Sequence, residues 1–379
     1  MTGQDTATHR PTICLCMIVK NEAQVIARCL ASVRPLIDSW VIVDTGSTDG
    51  THDVIREAMR DLPGELHERP WVDFAYNRTE SLALARPHGD YSLLIDADDV
   101  LAIDPDFRLP ALDQDFYQFL IESPPMRWPL SQLFRAAAGW RYMGVLHEFP
   151  ACDLANPRGQ LLTGLRIMRG QDGARRKDPQ VFRRDAEILE AALRTEANPM
   201  LSARYRFYLA QSYRDAGDPE KALANYMLRA SAGMWEQEVY VSLLESARLQ
   251  ELLNHPLDHI LATLRRANEA GAARAEAFHM AAALCRRDAR YAEGFEFALQ
   301  GLKIPQPDEA LFASPWVYHY GLLDEFAVNA SWIGRHQDCL EACLRLLREG
   351  LLPESERPRV QANAQFARDR LATLIAQQA

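Results

Sequence analysis

Residues 91–101 read Tyr-Ser-Leu-Leu-Ile-Asp-Ala-Asp-Asp-Val-Leu, an apolar run that ends in three carboxylates, Asp96, Asp98 and Asp99. The apolar part is typical of a buried strand, and carboxylates beside a core strand cost free energy unless their charge is compensated. A divalent cation that carries a phosphate ligand would compensate it, because Mg²⁺ and Mn²⁺ prefer hard oxygen ligands. The alternative is an ordinary acidic turn after a strand, since aspartate is common in turns.

Residues 11–170 alternate short apolar runs with helical patterns. We predict strands at Thr12–Val19, Trp40–Val43, Glu65–Arg69 and Tyr91–Ile95, and helices at Ala23–Ser32, Asp49–Arg60 and Glu80–Arg86. This β-α-β-α order predicts a parallel, doubly wound sheet with helices on both faces. Ligands of such sheets bind beyond the carboxyl ends of the strands. Polar residues gather at those ends: Lys20-Asn21-Glu22, Asp44 and Asp96–Asp99.

The pattern becomes helical and alanine-rich near residue 180 and stays so to residue 379. Arg204–Ala230 has the small residues, turn glycine and aromatics of a tetratricopeptide helical hairpin. Similar helix pairs can be drawn through Val239–Ala270, Arg274–Leu302 and Trp316–Glu349. We predict an α-hairpin solenoid of about three to four units; the alternative is a plain helical bundle. The charged segment Gly170–Asp178 is the predicted junction, which gives domains at 11–178 and 179–379. Residues 1–10 are predicted to form a flexible tail.

Composition limits the classes of partner and compartment. A chain of 379 residues should hold about two domains. The net charge of −10 argues against a nucleic-acid partner, which would favour a basic face. The seven cysteines show no paired metal-ligand spacing. The pair Cys14 and Cys16 and the pair Cys339 and Cys343 are interpreted as reduced core thiols of a cytoplasmic protein. No apolar run approaches the roughly 20 residues of a membrane span, and the polar N-terminus lacks the apolar region of a signal peptide.

Six short motifs together resemble family 2 glycosyltransferases of the nucleotide-sugar-binding GT-A fold, in the bacterial group that continues into tetratricopeptide repeats. The motifs are Cys16–Glu22, Val43–Thr51, Asp73–Arg78, Leu94–Asp99, Arg141–Glu148 and Asp172–Arg175. Their order and spacing fit throughout residues 12–235. One departure is visible. Such proteins often carry a histidine shortly before the Asp-Gly-Ala-Arg element, where this chain has Met168-Arg169, so His147 is the better candidate for a metal ligand.

The resemblance implies that the Asp-Ala-Asp-Asp run is similar to the family's Asp-x-Asp element. Asp96 and Asp98 share a face of the strand end, because alternate residues of a strand point the same way. Asp98 is then expected to ligate the metal and Asp96 to contact the ribose or a metal-bound water. Asp99 is expected to be either a further ligand or a helix cap.

The resemblance also implies contacts with the rest of the donor. Asp44 is similar to the carboxylate that accepts a hydrogen bond from the nucleobase. Glu22 is expected to face the ribose or base, with a charge favoured by a helix N-terminus as the alternative. Arg78 is expected to bind the diphosphate, since a guanidinium can engage phosphate with two hydrogen bonds; the alternative is a solvated arginine. Arg175 and Lys177 are weaker candidates for clamping the leaving diphosphate from a loop.

His147 and Glu148 follow the apolar turn Met143–Leu146 and fall late in the predicted catalytic domain. A single histidine is more often structural than a ligand, but the family register favours His147 as a metal ligand. Glu148 is the candidate general base, which would deprotonate the acceptor as it attacks the anomeric carbon. Adjacent residues rarely point at the same target, so each is assigned one role.

The sequence therefore predicts a glycosyltransferase that depends on Mn²⁺ or Mg²⁺ and inverts the anomeric configuration. Its donor would be a UDP-sugar and its acceptor a peptide, a protein or a glycan. The helical half would present the acceptor or form a homodimer. The alternative is a repeat-based adaptor whose sugar-nucleotide domain has decayed and is no longer catalytic. The intact pair Asp96 and Asp98, together with His147, speaks against decay.

Overall fold

The structure is a computed structural model of the chain. It describes residues 10–124, 126–308, 310–349 and 351–378. The tail predicted at residues 1–10 therefore lies outside the described residues, except for Arg10. No helix in these described ranges has the length and apolar character needed to cross a lipid bilayer.

The chain divides into two compact units, Met1–Arg194 and Thr195–Ala379. The sequence places the division between residues 178 and 179. The difference is the helix Val181–Leu193, whose helical pattern alone suggests that it belongs with the repeats. The structure groups this helix with the first unit, to which Asp185 is bound by an ion pair with Arg175.

The first unit contains ten strands and four α-helices among its described residues. The strands are β1 (Ile13–Val19), β2 (Ser39–Asp44), β3 (Gly64–Glu68), β4 (Tyr91–Leu94), β5 (Val100–Ile103), β6 (Phe116–Ser123), β7 (Met126–Arg135), β8 (Arg141–Met143), β9 (Phe149–Ala151) and β10 (Gly159–Met168). The helices are α1 (Ile26–Val33), α2 (Thr51–Met59), α3 (Phe74–Ala85) and α4 (Val181–Leu193). Eight strands form one sheet in the order β3-β2-β1-β4-β7-β6-β10-β5, and β8 pairs with β9.

Strand β1 lies in the middle of the parallel half of this sheet and is buried on both faces. It pairs in parallel with β2 on one side and β4 on the other. Leu15 packs in one apolar cluster with α1 and α2, and Cys14 and Cys16 pack in another with α3. Burial raises the pKa of the Cys14 thiol to about 11 and that of Cys16 to about 12. Helices therefore cover both faces of β1, which explains its continuous apolar sequence.

The prediction of a parallel sheet holds for β1 to β4 and for the pair β6 and β10, and it is wrong for the other pairs of the later strands. Strand β7 is antiparallel to both β4 and β6, and β5 is antiparallel to β10. Only two residues separate β6 from β7, whereas a parallel connection needs a crossover of a dozen or more residues. The sheet is therefore mixed, and the α/β fold class of the first unit is confirmed.

Helix α3 begins at Phe74, earlier than the predicted start at Glu80. The side chain of Asp73 accepts a hydrogen bond from the amide of Tyr76 at 2.7 Å and so caps the first turn. Asn77 in that turn is fully buried and bonds to the backbone of Val72 and Pro70. Because a polar side chain is buried there, the apolar periodicity of the helix is hidden in the sequence.

The described part of the second unit consists of nine α-helices with short helical turns between some of them. They are α5 (Pro199–Asp215), α6 (Pro219–Ser231), α7 (Glu236–Leu252), α8 (Leu257–Glu269), α9 (Glu276–Arg287), α10 (Tyr291–Gly301), α11 (Leu322–Trp332), α12 (His336–Glu349) and α13 (Arg357–Gln378). Helices that follow one another in the chain pack against each other. The four predicted helix pairs correspond to α5–α6, α7–α8, α9–α10 and α11–α12, so the all-α solenoid is confirmed.

Candidate active site

The carboxyl ends of β1, β2 and β4 meet at one edge of the sheet. Val19 of β1 lies in register beside Asp44 of β2, and β4 pairs with the other side of β1. The residues that follow these strands therefore lie at this edge, among them Glu22 and the acidic run Asp96–Asp99. This is the edge at which the sequence places the site.

Asp99 is the most buried carboxylate of the acidic run, with 1% of its surface exposed. Its Oδ1 accepts a hydrogen bond from the Gly170 amide at 2.9 Å, and its Oδ2 lies 3.1 Å from Nη1 of Arg169. Burial raises the pKa of Asp99 to about 6, although the positive charge of Arg169 opposes the shift. Asp99 thus fastens the segment after β10 to the acidic run, a contact that the sequence did not suggest.

Asp96 is held by two guanidinium groups. Its Oδ1 lies 2.6 Å from Nη2 of Arg78, and its Oδ2 lies 3.5 Å from Nη1 of Arg169. The side chain is 36% exposed, so part of the carboxylate faces solvent. The two arginines fix its orientation, and the predicted contact with the ribose or a metal-bound water stays a prediction.

Asp98 differs from its two neighbours because no cationic side chain among the described residues pairs with its carboxylate. Its backbone oxygen accepts a hydrogen bond from Nη2 of Arg28 at 2.9 Å. Gly173 lies so close that a Cβ built on it would be 2.7 Å from Oδ2 of Asp98. The Asp98 residue is half-buried. Its carboxylate makes no ion pair with a described cationic side chain, unlike Asp96 and Asp99, and the Arg28 guanidinium is the cation that interacts with it electrostatically.

The segment Arg169–Asp178 runs across the acidic run and is tied to it from several sides. Nη1 of Arg28 donates to Oδ2 of Asp172 at 2.7 Å while its other nitrogen reaches Asp98. Oε1 of Glu22 accepts a hydrogen bond from the Ala174 amide at 3.2 Å. Glu22 thus contacts this segment, and its predicted contact with the ribose or base stays a prediction.

Arg78 on α3 connects two of the predicted site residues. Besides its contact with Asp96, its Nε lies 2.7 Å from Oε1 of Glu148, and its guanidinium lies over the ring of Tyr142. Burial alone would lower the pKa of Arg78. The negative charges of Asp96 and Glu148 raise the pKa by more than burial lowers it, so the guanidinium stays charged. The contacts in the structure are therefore with carboxylates, and the predicted diphosphate contact of Arg78 is untested.

Asp44 ends β2 and is 1% exposed. Its Oδ1 accepts hydrogen bonds from the amides of Gly46 and Ser47, both at 2.8 Å. Its Oδ2 lies 3.3 Å from Nε2 of His52, whose Nδ1 is 3.8 Å from Oε1 of Glu68. Burial would raise the pKa of Asp44, but the bonds from Ser47, Gly46 and His52 outweigh it and lower the pKa. Asp44 is therefore an ionised acceptor, and its predicted contact with the nucleobase stays a prediction.

Arg175 contacts two helices of the first unit. Its Nη2 lies 2.5 Å from Oδ1 of Asp185 on α4, and its guanidinium lies 4.9 Å from the ring centroid of Phe74 on α3. Burial raises the pKa of Asp185, and Arg175 opposes that shift. The side chain of Lys177 lies outside the described part of the structure. The predicted clamp on the diphosphate by Arg175 stays a prediction.

His147 and Glu148 lie between β8 and β9 in different surroundings. His147 is exposed and has a positive φ of 50°, whereas the Glu148 side chain is 12% exposed and faces Arg78. In the ranges that the structure describes, no three His, Cys, Asp or Glu side chains are grouped so that they could hold a metal ion. The predicted roles of Asp98 and His147 as metal ligands and of Glu148 as general base stay predictions.

Three residues at this edge were not singled out from the sequence as site residues: Arg28, His52 and Arg169. Arg169 could have been found, because it lies where the family register leads one to expect a histidine. His52 directly follows the Val43–Thr51 motif, which is a weaker signal. Arg28 lies on α1 beside the buried Cys29, and nothing in its sequence context distinguishes it from a solvated arginine.

Comparison with known proteins agrees with this geometry. Residues 14–111 match the model of the family described as glycosyl transferase family 2. A TPR repeat-containing protein of Synechococcus elongatus is 36% identical over 144 residues, which cover 36% of this chain and 34% of that protein. The SPbeta prophage-derived glycosyltransferase SunS of Bacillus subtilis is 35% identical over 91 residues, which cover 24% of this chain and 21% of SunS.

The matched segments thus span about a fifth to a third of the length of these curated relatives. Among solved structures, a tetratricopeptide repeat protein of Parabacteroides merdae aligns with a TM-score of 0.38 at 18% identity, covering 52% of this chain and 70% of that one. The family match lies within the first unit and includes β1, Asp44, Arg78 and the acidic run. Residues 14–111 of the first unit are therefore similar to family 2 glycosyltransferases, and the second unit consists of helix pairs.

Proposed function

We propose that this protein moves a sugar from a nucleotide diphosphate donor, a UDP-sugar, to a peptide, protein or glycan acceptor. The observation that carries the proposal is the Asp98 carboxylate. It lies at the carboxyl edge of the sheet within the segment that is similar to family 2 and, unlike Asp96 and Asp99, makes no ion pair with a described cationic side chain. We further propose that transfer depends on Mn²⁺ or Mg²⁺ and inverts the configuration of the anomeric carbon.

The nucleoside part of the donor is proposed to bind at the ends of β1 and β2. Asp44 would accept a hydrogen bond from the nucleobase. Its Oδ1 already accepts two backbone amides and its buried Oδ2 lies 3.3 Å from Nε2 of His52, so the nucleobase would have to replace one of these contacts. Asp96 would accept from the ribose, because its carboxylate is oriented by two arginines and is partly exposed. Glu22 borders the same space and contacts Ala174.

The acidic run suits a cation that is shared with the donor. Mg²⁺ usually keeps several waters and binds through one or two carboxylates together with substrate phosphates. Asp98 supplies such a carboxylate, and His147 is a further candidate ligand. A bound Mn²⁺ or Mg²⁺ would neutralise charge on the departing diphosphate. Arg175, now paired with Asp185, is a candidate for closing on that diphosphate.

Glu148 is the proposed general base. It would take the proton of the acceptor nucleophile while that atom forms a bond to the anomeric carbon. The bond between the anomeric carbon and the diphosphate oxygen breaks, and its electron pair leaves with the diphosphate. Arg78, whose Nε is 2.7 Å from Glu148, keeps this carboxylate oriented toward the edge of the site.

The unit of helix pairs is proposed to present the acceptor or to form a homodimer. Helix pairs that stack in chain order build extended surfaces of the kind that receive other chains. The buried free thiols, such as Cys14 and Cys285, support a reducing, cytoplasmic location.

A donor-hydrolysis screen tests the proposal. The full chain is incubated with several nucleotide sugars in Mn²⁺, Mg²⁺ or EDTA, and the released nucleotide diphosphate is measured. We expect cation-dependent hydrolysis of a UDP-sugar that falls by about 100-fold or more in Asp98→Asn. The exposed Asp106→Asn variant is the matched control and should keep full hydrolysis. If no donor is hydrolysed under any condition, the adaptor with a non-catalytic domain becomes the better account.

A further inference from the structure

Arg169 directly follows β10 and belongs to the Met168-Arg169 pair, which stands where the family resemblance leads one to expect a histidine. Its amide donates to the carbonyl oxygen of Glu122 at 2.9 Å. Its backbone therefore continues the pairing of β10 with β6. A side chain placed in this way is held by the sheet and not by the segment that follows.

The guanidinium of Arg169 uses only one of its nitrogens for the acidic run. Nη1 lies 3.1 Å from Oδ2 of Asp99 and 3.5 Å from Oδ2 of Asp96. No described residue receives a hydrogen bond from Nη2 or Nε of Arg169. The side chain is 29% exposed, so this second edge of the guanidinium is accessible. Nη1 of Arg169 is thus anchored on protein carboxylates, while Nη2 and Nε can donate hydrogen bonds to a ligand.

At this edge of the sheet, arginine side chains form ion pairs with two of the three carboxylates of the acidic run. Asp96 and Asp99 each contact Arg169, and Asp96 also contacts Arg78. Only Asp98 makes no ion pair with a cationic side chain among the described residues. Arg28 already uses both Nη1 and Nη2 on Asp172 and the Asp98 carbonyl oxygen, so fewer of its N–H groups are available to a ligand. Arg169 is therefore the guanidinium with the most unused donor capacity next to Asp98.

We propose that Arg169 binds the diphosphate of the donor and shares charge neutralisation with the cation at Asp98. This inference rests on the proposed function, in which the donor is a nucleotide diphosphate sugar. Guanidinium groups match phosphate oxygens with paired hydrogen bonds and stay protonated throughout. When the bond from the anomeric carbon to the diphosphate oxygen breaks, Arg169 stabilises the negative charge on the leaving group without transferring a proton.

The test compares the binding of UDP and uridine by calorimetry, with the full chain in EDTA and in Mn²⁺. In Arg169→Gln we expect UDP binding in EDTA to weaken by about 10- to 100-fold, the usual effect of losing a hydrogen bond to a charged group. Uridine binding should be unchanged, because uridine has no phosphate. Arg169→Lys should recover part of the UDP affinity because it restores the charge without the paired donors.

Arg166→Gln is the matched control, since Arg166 lies on the same strand and pairs with Asp104 and Glu122 away from the acidic run. It should bind UDP like the unchanged protein. Because Arg169→Gln leaves the buried Asp99 without its cationic partner, the double variant Arg169→Gln with Asp99→Asn is measured as well and should show the same selective loss. Equal losses of UDP and uridine affinity, or no loss of either, would overturn the inference. If the unchanged protein fails to bind UDP even with Mn²⁺, the proposed function itself is wrong.

Discussion

At the scale of single residues, the site is organised by guanidinium groups that join carboxylates from different elements. Arg78 of α3 joins Asp96 to Glu148, and Arg169 joins Asp96 to Asp99. The sequence indicated that Asp96 and Asp99 lie at the edge of the sheet, because they follow a strand that ends there, whereas Glu148 was assigned to the site through the family resemblance. The sequence could not indicate which arginine pairs with which acid, because that depends on how α3 packs against β8, far from it in the chain.

Arg78 gives a direct prediction at this scale. Arg78→Met removes the cation between two carboxylates, one of which is only 12% exposed. Breaking a buried ion pair by removing one partner costs about 3–5 kcal/mol, and partial exposure of Asp96 reduces that to about 2–3 kcal/mol here. Urea unfolding measures the loss. The double variant Arg78→Met with Glu148→Gln should recover part of the stability; an unchanged midpoint in Arg78→Met would show that the pair contributes nothing.

At the scale of elements, the segment after β10 is the part that the sequence described least well. The resemblance makes Arg175 a candidate for clamping the diphosphate, and this stays a prediction. The contacts of its motif within the protein were not foreseen: Arg28 donates to Asp172, and the Ala174 amide donates to Glu22. Those contacts depend on glycines that allow close approach. A Cβ on Gly170 would lie 2.0 Å from the backbone oxygen of Asp98. The role of Gly170 follows from this packing, which no local pattern in the sequence reveals.

Gly170→Ala should therefore displace the whole segment from the acidic run, because the clash is with backbone and cannot be relieved by a side-chain rotation. Trypsin cleaves after basic residues, and residues 175–177 read Arg-Arg-Lys. We expect tryptic cleavage there to be faster in the variant, by about 10-fold or more for a local destabilisation above 1.4 kcal/mol. Gly217→Ala, in the turn between α5 and α6, is a control that should not alter this cleavage. Equal cleavage rates would mean that Gly170 does not hold the segment.

At the scale of the whole molecule, the change from α/β pattern to helix pairs was readable from the sequence, because the hydrophobic period itself changes. The buried charges of the second unit could not be predicted from the sequence. Arg274 and Glu276 are 1% and 3% exposed, and Arg274 also bonds to the carbonyl oxygen of Leu311. Tyr240 and Tyr318 bond to the same Glu276 carboxylate. A sequence pattern of ordinary surface charges gives no sign of such a buried network.

This network predicts a pH dependence of stability. Burial would raise the pKa of Glu276, but Arg274 and backbone hydrogen bonds lower it below its ordinary value of 4.5. A carboxyl whose pKa is lower in the folded state stabilises the fold above its unfolded pKa, and that contribution is lost as the pH falls through the folded pKa. The free energy of unfolding should therefore fall more between pH 7 and pH 3 in the unchanged protein than in Glu276→Gln.

Urea unfolding at several pH values measures this difference. If Glu276→Gln is too unstable alone, Arg274→Met with Glu276→Gln removes both charges and should show the same flattened pH profile. Identical pH profiles in the unchanged protein and both variants would show that groups other than Glu276 cause the loss of stability in acid.

The central claim is that a nucleotide diphosphate and a divalent cation bind together at Asp98. Calorimetric titration of UDP into the full chain, in Mn²⁺ and in EDTA, tests it most directly. We predict that Mn²⁺ tightens UDP binding by about 10-fold or more, which equals at least 1.4 kcal/mol of coupling, and that this gain disappears in Asp98→Asn. Equal UDP affinity with and without Mn²⁺, or a gain that survives in Asp98→Asn, would contradict the account.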